Sequence, residues 1–305
     1  MSTILILEQS LNGLQFGLML FLLAAGLTLV FGIMDMINLA HGSLYMLGAF
    51  IASTLVQATG SFAAGVLLAV LATAALGMIL EISVLRTLYK RDHLSQVLAT
   101  FALILILNEV VRLVWGSDAP LSMPEALSGP VQLVPGLMYP SYRVLIIAVG
   151  LAVALLLYLF VARTRVGMLV RAGASNREMA LAMGVNIRAL FTLVFGVRAA
   201  LCALAGALLG PLLAVQVGMG ENILILAFVV IVIGGIGSIR GALVGSLLVG
   251  MVDTVGRAFL PILFGAFLPP QFASAAGPAI ASVMIYLLMA AVLYIRPQGL
   301  FPARG

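Results

Sequence analysis

The chain has 305 residues, of which 64% are hydrophobic and only 8% charged, with a formal net charge of +5 and a mean hydropathy of +1.26. That balance excludes a water-soluble core and fits a polytopic helical membrane protein, in which the 32 glycines allow close helix contacts. A lone cysteine, Cys202, excludes an internal disulfide and a cysteine-based metal cluster, and the basic residues fall between apolar segments, so topology and not nucleic acid accounts for the charge.

In chain order, apolar runs at Gly13–Met34, Ser43–Val56, Ala63–Leu85, Leu94–Trp115, Val144–Ala162, Leu190–Leu209, Ile223–Ile233, Ala242–Leu260 and Pro278–Ile295 predict helices. Several approach the roughly 20 residues needed to span hydrocarbon, and two are short. The N-terminus, Met1 to Leu20, has no Lys or Arg ahead of its apolar run and reads as retained, not as a secretory signal. The fold class expected is an all-α polytopic membrane protein with about 8–9 membrane helices, forming a single transmembrane domain over residues 1–305. Basic clusters at Arg86–Lys90–Arg91, Arg163–Arg188 and Arg296/Arg304 are expected on the cytoplasmic side, and the Pro- and Gly-rich connection 116–141 outside. Parity then puts the N-terminus outside and the C-terminus inside. Trp115, Tyr139, Tyr142, Tyr286 and Tyr294 lie near run ends, as interfacial aromatics do.

Each half of the sequence carries an interruption, at residues 31–42 and 234–241, which gives a weak two-half repeat. Glycines and polar residues cut the apolar pattern there, in Phe31-Gly-Ile-Met-Asp-Met-Ile-Asn-Leu-Ala-His-Gly42 and in Gly234-Gly-Ile-Gly-Ser-Ile-Arg-Gly241. Broken helices of this kind place backbone groups along a translocation route; the competing explanation is a pair of tight turns. Asn38, His41, Gly42, Gly234, Gly235 and Gly237 are the candidate pathway residues. Asp35, Asn38 and His41 recur every three residues, which predicts one shared helical face. With His93 remote in the sequence no metal site is expected, and capping of helix ends at a membrane boundary is favoured over acid-base chemistry.

Charges inside apolar runs need partners, because an ionised group near a membrane helix centre costs roughly 2.5–3.5 kcal/mol on insertion scales. Glu109 with Arg112 and Asp253 with Arg257 sit three and four residues apart and predict structural ion pairs. Arg198 has no such neighbour and must snorkel, find an acid on another helix or sit in water.

The longest polar stretch, 163–188, carries five arginines against Glu178. Within it, Ser175-Asn-Arg-Glu178 reads as a capping box with Ser175 as N-cap, followed by Met179-Ala-Leu-Ala-Met183 and a stop at Gly184. A short capped helix flanked by arginines and facing the cytosol would fit a cleft in another subunit and transmit force. The alternative is an amphipathic helix held on anionic membrane lipid.

Five blocks together resemble the membrane-spanning permeases of ABC importers for branched-chain amino acids and related small solutes. They are Gly26-Leu-Thr-Leu-Val-Phe-Gly-Ile-Met, Ile37-Asn-Leu-Ala-His-Gly-Ser-Leu-Tyr-Met-Leu-Gly48, Arg171-Ala-Gly-Ala-Ser-Asn-Arg-Glu-Met-Ala-Leu-Ala-Met-Gly-Val185, Gly234-Gly-Ile-Gly-Ser-Ile-Arg-Gly241 and Arg296-Pro-Gln-Gly-Leu-Phe301. The resemblance implies that Arg171, Ser175, Glu178, Ala180 and Gly184 belong to the segment that docks into an ATPase. Arg198 departs from the small residue the family pattern leads one to expect. The sequence contains no Gly-x-x-x-x-Gly-Lys-Ser/Thr, and Lys90 is its only lysine, so the chain is expected to be a transport subunit, not an enzyme. ATP and Mg would be bound by partner ATPase subunits, and this chain would need no cofactor. The resemblance adds a second permease, giving a heterodimer, and an extracytoplasmic solute-binding protein, in a prokaryotic inner membrane. A rival reading, a secondary transporter driven by an ion gradient, would rest on Asp35, Glu109 or Asp253 changing charge. An intramembrane enzyme ranks third, because no His-Glu-x-x-His or Gly-x-Ser-x-Gly appears.

Overall fold

A computed structural model describes residues 3–34, 36, 38–267 and 269–301. Its helices are α1 (Thr3–Met34), α2 (His41–Thr59), α3 (Phe62–Leu80), α4 (Arg86–Leu88), α5 (His93–Trp115), α6 (Ser141–Arg163), α7 (Arg165–Ser175), α8 (Arg177–Ala182), α9 (Ile187–Leu213), α10 (Met219–Gly234), α11 (Ile239–Phe264) and α12 (Pro270–Ile295). A π-helical turn, Glu81–Leu85, joins α3 to α4. Among the described residues, eight helical stretches are long and apolar enough to cross a membrane, and Met219–Gly234 is a shorter apolar helix. Hydrocarbon offers no hydrogen bonds to the backbone, so the spanning segments are helical whatever their side-chain propensities.

The chain forms two compact units, both assembled from discontinuous segments. One comprises residues 1–24, 124–154 and 227–304, the other residues 25–123 and 155–226. The interruptions predicted at 31–42 and 234–241 are present as the α1–α2 and α10–α11 breaks, one in each unit.

In the first unit, α1 meets α11 through small residues. A side chain at Gly17 would clash with the backbone at Ser246 and Leu247, and one at Gly13 with Met251, so Gly13 and Gly17, four apart, let the two backbones approach. Asn12 Oδ1 accepts from the Tyr139 hydroxyl at 2.9 Å and from Arg143 Nη1 at 2.5 Å. Tyr139 and Tyr142 are fully buried, and the first spends its hydroxyl on an internal partner. Strand β1 (Asp118–Ala119) belongs to the other unit, and strands β2 (Pro130–Val134) and β3 (Leu137–Pro140) pair antiparallel as a hairpin.

In the second unit α2, α3 and α9 pack on one another. Gly48 lies against Ala203, and Gly206 against the Tyr45 carbonyl, so α2 and α9 cross almost backbone to backbone. Strand β1 pairs with β4 (Val215–Gln216), fixing the connection after α9. The large exposed side chains of α3 and α5, among them Leu67, Leu71, Leu98 and Leu105, are where a lipid-facing surface should be, since exposure to lipid carries no hydrophobic cost.

Candidate functional site

The polar stretch 163–188 folds as two short helices with a side-chain cap at every start. Thr164 Oγ1 accepts from Gly167 N at 3.0 Å to open α7, and the Arg171 guanidinium donates back to the Val161 carbonyl. Asn176, in extended backbone, accepts from Met179 N at 2.9 Å and opens α8. The N-cap is therefore Asn176 and not Ser175. Asn176 N still donates to the Ala172 carbonyl at 3.0 Å, which keeps Ser175 inside α7 and moves Glu178 to the second helical position, away from a reciprocal capping box. Gly184, at φ +83°, ends the helix in a conformation that costs a residue with a Cβ. Val185 N then closes on the Ala180 carbonyl at 3.0 Å. Ala180 is buried, whereas Met179, Leu181 and Met183 are 60%, 51% and 79% exposed; Met179 and Met183, four apart, form an apolar ridge, with Leu181 on another face of α8 and Glu178 exposed. Asn186 opens α9 by accepting from Ala189 N at 3.1 Å.

One turn into α9 lies a cluster that the spacing rules missed. Glu81, fully buried, receives Thr192 Oγ1 at 2.6 Å, Tyr89 Oη at 3.0 Å and Arg86 Nη2 at 3.0 Å. Arg86 Nη2 also donates to Thr192 Oγ1 at 2.9 Å. Glu81 and Arg86 are five residues apart, a pairing that an α-helix does not make but a π-helical turn brings onto one face. A signal was available: an acid inside an apolar run requires a partner. Burial first, and the Glu81 carboxylate after it, raise the Tyr89 phenol above its ordinary value, so Tyr89 stays a donor to Glu81.

The predicted pathway residues divide between the units. Gly42 packs against Gly220, and a Cβ on either would collide with the other's backbone. Asn38 and His41 do not share a helical face, because Asn38 is outside helix and α2 begins at His41; Asp35, the third residue of that expectation, lies outside the described residues. Nor do Asn38 and His41 cap α2, whose N-cap, Ala40, makes no side-chain bond. His41 is fully buried instead, and its Nδ1 accepts from Arg198 Nε at 2.6 Å. Cys202 Sγ lies 3.3 Å from the same nitrogen. Arg198 thus does not snorkel, and among the described residues it meets no acid. It is fully buried with its Cζ 5.0 Å from the Phe195 ring centre. Among the described residues neither Nη1 nor Nη2 of Arg198 has a hydrogen-bond partner, and the Asn38 amide has none. A buried, unpaired ion carries an effective penalty of several kcal/mol, which sets Arg198 apart from every other cation in the described chain.

In the other unit the glycines of the α10–α11 break serve backbone packing. Gly234 packs on Gly241, and Gly235, at φ +104°, faces the Gln298 and Phe301 carbonyls; Gly237 also has positive φ. Leu300 N and Phe301 N donate to the Ile233 and Gly234 carbonyls, each at 2.9 Å, so the tail supplies donors that the end of α10 lacks. Asp253 Oδ1 receives Arg257 Nε at 2.7 Å, and Arg257 Nη2 reaches Ser282. In the second unit Glu109 pairs with Arg112 at 2.6 Å on an exposed face. His93 begins α5. No group of three or more metal-ligating side chains occurs among the described residues.

Comparison with known proteins agrees with the five sequence blocks. The family model described as branched-chain amino acid transport system / permease component matches residues 9–293. The high-affinity branched-chain amino acid transport system permease protein BraD of Pseudomonas aeruginosa is 35% identical over 268 residues, covering 82% of this chain and 86% of the relative. LivH of Escherichia coli K12, of the same description, is 31% identical over 276 residues, 83% and 87% of the two chains. A probable branched-chain amino acid transport permease protein LivH of Methanocaldococcus jannaschii is 27% identical over 292 residues, 92% and 88%. No solved structure matches the chain significantly. With eight apolar helices long enough to span and a family match over almost its whole length, the chain is a multi-pass integral membrane protein that belongs to the permease components of branched-chain amino acid transport systems.

Proposed function

We propose that this chain is the membrane-spanning permease subunit of an ATP-driven importer for branched-chain or other hydrophobic amino acids or related small solutes. ATP and Mg are bound by separate ATPase subunits, which dock on the 163–188 segment from the cytoplasm. A second permease completes a heterodimer, and an extracytoplasmic binding protein delivers solute on the side of residues 116–141. The route runs past Asn38, His41 and Gly42, and the glycines at 234, 235 and 237 shape the second break. Alternating access follows when the ATPase biases two arrangements of the membrane helices. Lys90, the only lysine, sits in the glycine-free context Leu88-Tyr-Lys-Arg-Asp92, which is no phosphate-binding loop.

The observation that carries this reading is the exposed ridge of Met179 and Met183, four residues apart, on a helix closed at both ends by its own residues. A preorganised apolar ridge rimmed by charge is what a partner cleft takes up, whereas a lipid-held helix would gain from a continuous apolar face instead. The test is reconstitution of the complete importer in liposomes. Solute-stimulated ATP hydrolysis and uptake are expected from the wild type, and both are expected to collapse in Met183→Asp with loss of the ATPase on purification. Undiminished uptake by that variant, or uptake that needs an ion gradient and no ATP, would refute the assignment.

A further inference from the structure

Arg198 sits in α9 with no solvent exposure, and one of its three nitrogens is used: Nε donates to His41 Nδ1 at 2.6 Å. Nη1 and Nη2 are buried and have no hydrogen-bond partner among the described residues. The ion pairs of the described residues are Glu81–Arg86, Glu109–Arg112 and Asp253–Arg257, and Arg198 is in none. A guanidinium stays charged inside a protein, and no described residue supplies an anion to it. Its two free Nη groups form the fork that a carboxylate matches in bidentate fashion.

The surroundings hold that fork in place. Gly26 leaves the room the side chain occupies, since a Cβ there would lie 3.2 Å from Arg198 Cγ and 3.4 Å from His41 Cε1. Phe195 covers one face of the guanidinium. His41 fixes the Nε edge, turning the opposite edge away from it. Three residues before His41 in the chain, Asn38 buries an amide whose oxygen and nitrogen are also without partners among the described residues.

Resting on the permease reading above, we propose that Arg198 is a carboxylate-recognition residue of the translocation route, with His41 as its positioning residue, so that the transported solute carries a carboxylate. Amides and urea, which lack one, are then not cargo. In the conformation described the fork is closed from solvent, and the solute reaches it when the helices rearrange during the transport cycle.

The experiment measures binding of tritiated L-leucine to the solubilised permease–ATPase complex without the binding protein, with competition by isovalerate, leucinamide and chloride at matched ionic strength. Wild type is expected to bind leucine, with competition by isovalerate and none by leucinamide or chloride. Arg198→Met is expected to weaken binding about tenfold or more while the complex still co-purifies with its ATPase. Arg198→Lys, which keeps the charge without the fork, is expected to fall between the two, and it decides the matter where the Met variant does not assemble. Equal binding by wild type and both variants, no binding to wild type at millimolar leucine, or displacement by leucinamide or by chloride as effective as by isovalerate overturns the proposal. So does recovery of binding in Arg198→Met/Asp35→Asn after loss in each single variant, because Asp35 would then be the resident counter-charge. Failure of the permease reading shows separately, as absence of ATP-dependent leucine uptake by the complete wild-type importer.

Discussion

Thr192 Oγ1 donates to Glu81 Oε2 at 2.6 Å, tying the second turn of α9 to the π-helical turn that follows α3. The hydroxyl oxygen also lies 3.1 Å from the Arg188 carbonyl, directly after the α7–α8 segment. Glu81 is fully buried and collects donors from Arg86, Tyr89 and Thr192. Replacing it with Ala strands a guanidinium and leaves a phenol and a hydroxyl without their acceptor. Glu81→Ala is expected to cost about 3 kcal/mol or more, read as a lower thermal midpoint of the solubilised protein. Thr192→Val removes one donor to a charged acceptor and is expected to cost about 1.5 kcal/mol. Equal midpoints for the two variants and wild type would show that the cluster carries no stability.

The α2–α9 crossing sets a second expectation. Gly206 faces the Tyr45 carbonyl and Gly48 faces Ala203, and both pairs involve backbone that cannot rotate aside. Gly206→Val forces the helices apart, at a cost of about 1–3 kcal/mol. By contrast Gly60, with open space around it, tolerates a side chain sterically and is penalised only for its left-handed backbone. Comparison of folded yield and thermal midpoint for Gly206→Val and Gly60→Asn separates contact from conformation. A Gly206→Val protein as stable as wild type would mean that the close approach is unimportant.

Capping of α8 can be tested against the sequence expectation. Asn176→Ala removes the acceptor of Met179 N and is expected to destabilise the helix by about 1 kcal/mol, seen as faster amide exchange over residues 177–183. Ser175→Ala, inside α7, should leave that exchange unchanged. The reverse result would restore Ser175 as the cap.

The spans, the two breaks and the location of the α7–α8 segment were legible because each depends on local composition: hydrocarbon runs, glycine interruptions, a charge island. Partners brought together over distance were not. Arg198 and His41 are 157 residues apart and Glu81 and Thr192 111 apart, and a single sequence states only that such groups need partners. Asn176 was missed for a different reason. Ser and Asn cap almost equally well, and a tertiary choice of where α7 stops decides between neighbours. The Glu81–Arg86 pairing was hidden by a local departure from 3.6-residue periodicity, which side-chain spacing rules assume.

The C-terminal tail gives the last expectation. Helix α10 ends at Gly234, and its final carbonyls receive Leu300 N and Phe301 N from a tail held by a Gly299 N to Arg296 carbonyl bond at 2.9 Å. Gly235 is where this arrangement is most exposed to a single change, because its backbone is left-handed and a Cβ would lie 2.7 Å from the Phe301 carbonyl oxygen. Gly235→Ala therefore combines a conformational cost of about 1–2 kcal/mol with expulsion of the tail. Ending the chain at Gln298 removes the two donors without touching the helix. Both variants are expected to speed exchange at the α10–α11 junction, and Gly235→Ala alone to add backbone strain and lower the thermal midpoint further. If truncation left the junction as protected as in the wild type, the α10 carbonyls would have another source of donors and the tail would be dispensable.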